Sequence, residues 1–189
     1  LYTGAELEIE SKTKIPDIDQ ISDELNGLIR PEPNSKILGM RIGLWAHYKA
    51  QQEKPGFINK FLNKKLGEEP VYFSQVNTSR TEELILNRLE NRGFFYGIAR
   101  SEINEKDKFV TVDYTAQVTE PYTLIDYQIE KESDSLSIYN PIKILMEETE
   151  LDSATRFDLN TLKEERQRID AALKEQGYYN FNSEYLPVS

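Results

Sequence analysis

The chain has 189 residues, 38% of them hydrophobic and 11% aromatic, which is enough apolar material for a core and too much for a wholly disordered chain. Its 33 acidic and 23 basic residues give a net charge of −10, a balance that repels phosphate backbones and sets nucleic acid aside as a partner. With no cysteine and one histidine, disulfide frameworks, thiolate zinc sites, cysteine nucleophiles and poly-histidine metal sites are excluded, and no apolar run reaches the ~20 residues that a membrane-crossing helix needs.

Ala5, Leu7 and Ile9 alternate with glutamates and predict a short strand. Ile18, Ile21, Leu25, Leu28 and Ile29 make one helical stripe, with Pro16 near its start and Pro31 as its stop. Residues 32–72 follow, with Gly39-Met40-Arg41-Ile42-Gly43-Leu44-Trp45 and a basic, apolar stretch from Phe57 to Leu66. Helical spacing there puts Phe57, Phe61 and Leu62 on one side with Lys60, Lys64 and Lys65 around them. Such a helix can touch an anionic membrane surface or a partner. It can equally pack its apolar side on its own domain and leave the lysines in water, which is the expectation for it.

A second helix is predicted from Phe73-Ser74, with Ser74 as N-cap, Ile85 and Leu89 on the buried stripe and Gly93 at its end. Phe94 and Phe95 then open an extended segment and pack back on the helix. A hairpin comes next: Tyr96–Asn104, a polar turn at Glu105-Lys106-Asp107-Lys108, and Phe109–Val118. In the last of these Val110, Val112, Tyr114, Ala116 and Val118 alternate with polar residues, so it reads as a strand with one face buried. The more polar Tyr96–Asn104 reads as the edge.

After Pro121 the order recurs. Ile125, Tyr127 and Ile129 predict a strand, and Ile138, Ile142, Leu145 and Met146 a helix. A second helix opens at Phe157-Asp158 and carries Leu159, Leu162, Arg166, Ile169 and Leu173 before Gly177-Tyr178-Tyr179. Arg166 is expected at the edge of that stripe with its guanidinium in water.

From Phe73 to Phe157, and on through Ile85/Ile169, Leu89/Leu173 and Gly93/Gly177, matched positions lie 84 residues apart with no gap. Fixed-period similarity marks duplicated structural units. The expected fold is α+β, with units at 1–119 and 120–189. Each is a three-stranded sheet covered on one face by two helices, and the first carries a helical insertion at about 32–72. The second unit stops before its last strand. That leads to the expectations that Phe181–Val188 is frayed and that the natural polypeptide continues.

No residue set suggests catalysis. His47, near Trp45 and Tyr48, has no partner histidine or cysteine and reads as a packing or surface residue. Asp107, Asp113, Glu164 and Glu165 read as solvated carboxylates rather than an acid–base pair. Gly39-x-x-x-Gly43 lacks the Gly-Lys-Ser/Thr of a phosphate loop. The expectation is therefore a non-enzyme with no cofactor, metal or catalytic residues.

The order strand–helix–helix–strand–strand, with Leu-x-x-x-Gly-aromatic-aromatic closing the second helix, resembles POTRA (polypeptide-transport-associated) domains. The match extends to the outer-membrane β-barrel assembly superfamily of BamA and TamA. TamA-like, lipoprotein-type members are similar at Leu1-Tyr2-Thr3-Gly4-Ala5, at Arg30-Pro31-Glu32-Pro33-Asn34-Ser35-Lys36 with Gly43-Leu44-Trp45, and at Glu164-Glu165-Arg166-Gln167-Arg168-Ile169 with Gly177-Tyr178-Tyr179-Asn180-Phe181. The resemblance implies a periplasmic, non-catalytic region on the inner side of the outer membrane, preceding a C-terminal membrane β-barrel beyond this chain. It also implies binding of unfolded or nascent outer-membrane polypeptides for assembly or translocation. The candidate client edge is Tyr96, Ile98, Ala99, Arg100, Ser101, Glu102 and Ile103, which would accept an added strand. The alternative is a scaffold that docks a fixed periplasmic or inner-membrane partner subunit through Gly39–Leu66, with Trp45, Lys60, Lys64 and Lys65 as its surface.

Overall fold

The structure, a computed structural model, describes residues 1–54, 56–125, 138–149, 151 and 154–186. It divides into two compact units, Leu1–Leu86 with Ile98–Gln117, and Asn87–Gly97 with Val118–Ser189. The fold is α+β, with a three-stranded sheet and helices.

In the first unit the strands are β1 (Tyr2–Ser11), β2 (Ile98–Lys106) and β3 (Phe109–Val118), in the order β1-β3-β2. β2 and β3 are antiparallel, and the register closes at Lys106↔Phe109. The turn is thus the two residues Asp107 and Lys108 rather than four, with Asp107 at φ 56. β1 runs the same way as β3: the Leu1 carbonyl accepts from the Val110 N–H, and Glu10 at its far end accepts from the Gln117 amide. Val110, Val112, Tyr114 and Ala116 are buried, while Asp113 and Gln117 on the other face are exposed. The buried face meets helical material: Ile21 and Leu25 of α1 (Ile18–Asn26) and Ile85 of α4 (Thr78–Asn91) have essentially no exposed surface.

Two local expectations need correcting. α1 ends at Asn26, and Leu28 and Ile29 lie in tightened turns bonded to Leu25 and Asn26. Asn26-Gly27 is a poor helix continuation. α4 (Thr78–Asn91) starts three residues later than an N-cap at Ser74 implies. Phe73–Gln75 is a short 3-10 turn, and it is the Asn77 side chain that accepts from the Arg80 N–H.

The inserted segment forms α2 (Ile42–Ala50) and α3 (Phe57–Leu66). Its two ends are clipped together by Asn34, only 5% exposed. The Asn34 amide donates to the Glu69 carbonyl at 2.7 Å, and its Oδ1 accepts from the Val71 N–H at 3.0 Å. The Ser35 N–H and hydroxyl bind the Glu68 carboxylate and hold its pKa below the usual carboxylate value.

In the second unit the described residues give α5 (Tyr139–Glu147), α6 (Leu159–Glu175) and an isolated bridge, Thr123↔Arg156. Ile142 and Leu145 pack on Ile169, Leu173 and Phe181 in one cluster. Asp158 caps α6, accepting from the Asn160 and Thr161 N–H groups. Of the strand expected at Ile125–Ile129, Tyr127 and Ile129 lie outside the described residues, and Ile125 is exposed.

The C-terminal expectation is also corrected as far as Leu186, while Pro187 and Val188 lie outside the described residues. Phe181 is buried, and Ser183–Tyr185 is a 3-10 turn, not an opening strand. Arg166 holds this turn rather than reaching into water: its Nε and one terminal nitrogen donate to the Ser183 carbonyl at 2.9 and 2.7 Å.

Candidate functional site

β2 is a sheet edge by position, since β3 pairs with it on one side only. Among the described residues, none outside β3 hydrogen-bonds its backbone. The opposite edge differs. On β1 the Tyr2 N–H donates to the Val71 carbonyl at 2.9 Å, and an Arg41 guanidinium nitrogen donates to the Thr3 carbonyl at 2.9 Å. The inserted segment therefore covers the start of one edge and leaves the other open.

The side chains of β2 fit its edge position. Ala99 and Ser101 are half-buried, and the Ser101 hydroxyl donates to Glu82 of α4 at 2.5 Å. Ile98, Arg100, Glu102 and Ile103 are exposed. Tyr96 falls outside the strand, which starts two residues later than the sequence suggests; its exposed ring lies tilted against Tyr122 at 6.0 Å. The edge is guarded by charge rather than by covering chain. Arg100, Glu102, Glu105 and Lys106 are exposed along the strand, and no proline interrupts it.

The second surface is α3. None of its residues is buried. Phe57 is 83% exposed and Ile58 70%, with Phe61 and Leu66 also exposed, so the expectation that its apolar side packs on the domain is overturned. The half-buried side holds Asn59, Leu62 and Asn63 instead. Lys60, Lys64 and Lys65 share the outward side with the phenylalanines. Trp45 of α2 is half exposed, with the Lys49 ammonium 6.0 Å from its ring centroid.

His47 lines a shallow groove of about 330 Å³ with Tyr48, Gln51, Glu69, Pro70, Tyr72 and Gln75. One ring nitrogen lies 2.8 Å from the Gln51 amide nitrogen, and Tyr48 packs edge-on at 5.8 Å. Asp107 sits in the hairpin turn, and Asp113 accepts from the Asn104 amide on the bare sheet face.

Glu164 is exposed, but Glu165 is a correction: it is buried, at 8% exposure. Arg168 makes that burial tolerable, pairing with it at 2.7 Å and holding its pKa below the usual value. The two neighbouring glutamates thus occupy opposite environments and do not converge. Among the described residues no three His, Asp or Glu side chains group as a metal site, and no helix is long and apolar enough to cross a membrane.

No protein-family model matches the chain, and no curated protein matches it. Among solved structures it is similar to the crystal structure of Haemophilus influenzae BamA POTRA3-5, at 13% identity over 94% of this chain and 51% of that one, with a TM-score of 0.38. The chain thus spans about half the length of that structure. Likeness at this score carries no argument, and the α+β reading rests on the elements and sheet order described above.

Proposed function

We propose that this chain is the periplasmic, POTRA-like part of an outer-membrane protein assembly or translocation factor, with units at 1–119 and 120–189, and that it binds unfolded outer-membrane polypeptides by strand addition along β2. The observation that supports this reading is the contrast between the two edges. Val71 and Arg41 occupy backbone groups on β1, while the outer N–H and C=O groups of β2 have no partner among the described residues. An added strand would gain main-chain bonds and little side-chain selection, which suits a binder of many sequences.

The test removes one donor. Neighbouring strand residues direct their N–H groups to opposite sides, so of Arg100→Pro and Ser101→Pro one breaks the ladder to β3 and the other only the open edge. The variant that keeps the wild-type melting temperature should lose most crosslinking to an unfolded outer-membrane barrel protein. Undiminished crosslinking by that variant would refute strand addition.

A second reading draws on α3. Its exposed phenylalanines and three lysines favour a scaffold that docks a partner subunit through Gly39–Leu66. Replacing Lys60, Lys64 and Lys65 by alanine should leave client crosslinking nearly unchanged under the first reading and abolish partner capture under the second.

A further inference from the structure

The duplicated Gly-aromatic-aromatic motif has the same geometry in both copies and, among the described residues, is covered in only one. Gly93 sits at φ 89 and Gly177 at φ 96. The Phe94 N–H returns to the Leu89 carbonyl at 2.9 Å, and the Tyr178 N–H to the Leu173 carbonyl at 3.0 Å. Each glycine N–H bonds the carbonyl three residues back, Glu90 at 2.9 Å and Lys174 at 3.0 Å. The two helix ends are therefore the same Schellman cap, each turning the glycine carbonyl out of the helix ahead of an aromatic pair.

At the first cap an extended segment is seated. The Tyr122 N–H donates to the Gly93 carbonyl at 2.8 Å, and the Phe157 N–H donates to the Tyr122 carbonyl at 2.8 Å. The Phe95 ring meets Tyr122 edge-on at 5.2 Å and Phe157 at 5.1 Å. The backbone comes so near that a Cβ on Gly93 would lie 2.8 Å from the Phe157 carbonyl oxygen. At the second cap, among the described residues, nothing lies within 4 Å of a Cβ built on Gly177 and no N–H reaches its carbonyl. Tyr179, the counterpart of Phe95, is 77% exposed against 42%.

We infer that Gly177–Tyr179 is a docking site for an extended polypeptide segment carrying a tyrosine or phenylalanine beside a free N–H, the chemistry that Tyr122 presents to Gly93. The occupant would donate one N–H to the Gly177 carbonyl and lay its ring against Tyr179. A glycine is required at the cap for its positive φ in both copies; the open space over Gly177 matches the space that the segment fills over Gly93. This site is distinct from the β2 edge and depends on no added strand.

The probe is an acetylated, amidated peptide of the sequence Glu-Pro-Tyr-Thr-Leu, copied from residues 120–124, titrated into the isotopically labelled full chain and followed by amide shifts. Saturable shifts are expected at Gly177, Tyr178 and Tyr179, weakened about fivefold by Tyr179→Ala, which removes roughly one aromatic pair. Tyr179 is too exposed for that change to unfold the chain, and the unshifted remainder of the spectrum checks it. Absence of shifts at these three amides would overturn the inference. So would equal shifts with a Tyr→Ser peptide, or equal affinity for Tyr179→Ala.

Discussion

Asp158 carries two jobs that a pair of substitutions separates. Its Oδ1 caps α6, at 2.8 Å from the Asn160 N–H and 3.4 Å from the Thr161 N–H, and its Oδ2 accepts from Arg92 at 2.6 Å. Both ionic side chains are largely buried, at 15% and 13% exposure. Asp158→Asn keeps a capping oxygen but withdraws the charge facing Arg92. Breaking a fully buried pair costs about 3–5 kcal/mol, and the residual exposure here brings that to about 2 kcal/mol. Asp158→Ala also removes the cap, worth about 1 kcal/mol more. For a unit of this size each kcal/mol lowers the melting temperature by about 4–8 °C, so the expected losses are about 8–16 °C and about 12–24 °C. Thermal melts by circular dichroism with both variants read these directly. If Asp158→Asn melts with the wild type while Asp158→Ala does not, the ion pair contributes nothing and the reasoning about its burial fails.

Asn34→Ala should destabilise the first unit by about 2 kcal/mol, since it strands the Val71 N–H and the Glu69 carbonyl, and should speed exchange of the Val71 amide. Unchanged exchange there would mean that the clip does not close the inserted segment. The Tyr2 hydroxyl is buried without a hydrogen-bond partner among the described residues, and its pKa is pushed up to about 12, chiefly by burial with a smaller contribution from Tyr114. Because the folded state favours the neutral phenol, this contribution is intact below pH 10 and is lost as pH rises from 10 toward 12. Alkaline melts should show the fall in the wild type and a smaller one in Tyr2→Phe. Glu165 behaves oppositely: its lowered pKa stabilises above the usual carboxylate range and is lost as pH falls. Glu165→Gln should flatten the acid limb of the stability curve, as read by melts from neutral pH downward.

Features set by local periodicity were legible in the amino-acid order. The alternation of Val110, Val112, Tyr114 and Ala116, the Leu162–Ile169–Leu173 stripe, the Asp158 cap and the glycine after each stripe all appear where the pattern places them. What stayed hidden depended on distant partners. Glu165 reads as a surface residue until Arg168 and the Leu145 carbonyl, which Arg168 also binds, are brought around it. Ser74 and Asn77 are both acceptable caps, and only the 3-10 turn at Phe73–Gln75 selects the second. The periodicity of α3 shows that Phe57 and Phe61 share a side, but not that Leu62, rather than they, faces the domain. The open β2 edge was visible as polarity. The covering of β1 was not, because Val71 and Arg41 are far from it in sequence.

The Asn34 clip has a consequence for how this chain tolerates change. By tying residue 34 to residues 69 and 71, it makes the two ends of the inserted segment neighbours whatever lies between them. The entropy of closing such a loop rises by only about 0.6 kcal/mol for each doubling of its length. The part of the segment carrying α2 and α3 is therefore free to lengthen or shorten at small cost in closure entropy, provided that Asn34, Arg41 and the Glu69–Val71 backbone remain to hold it on the β1 edge. A lineage could vary what the insertion binds while the sheet beside it stays the same.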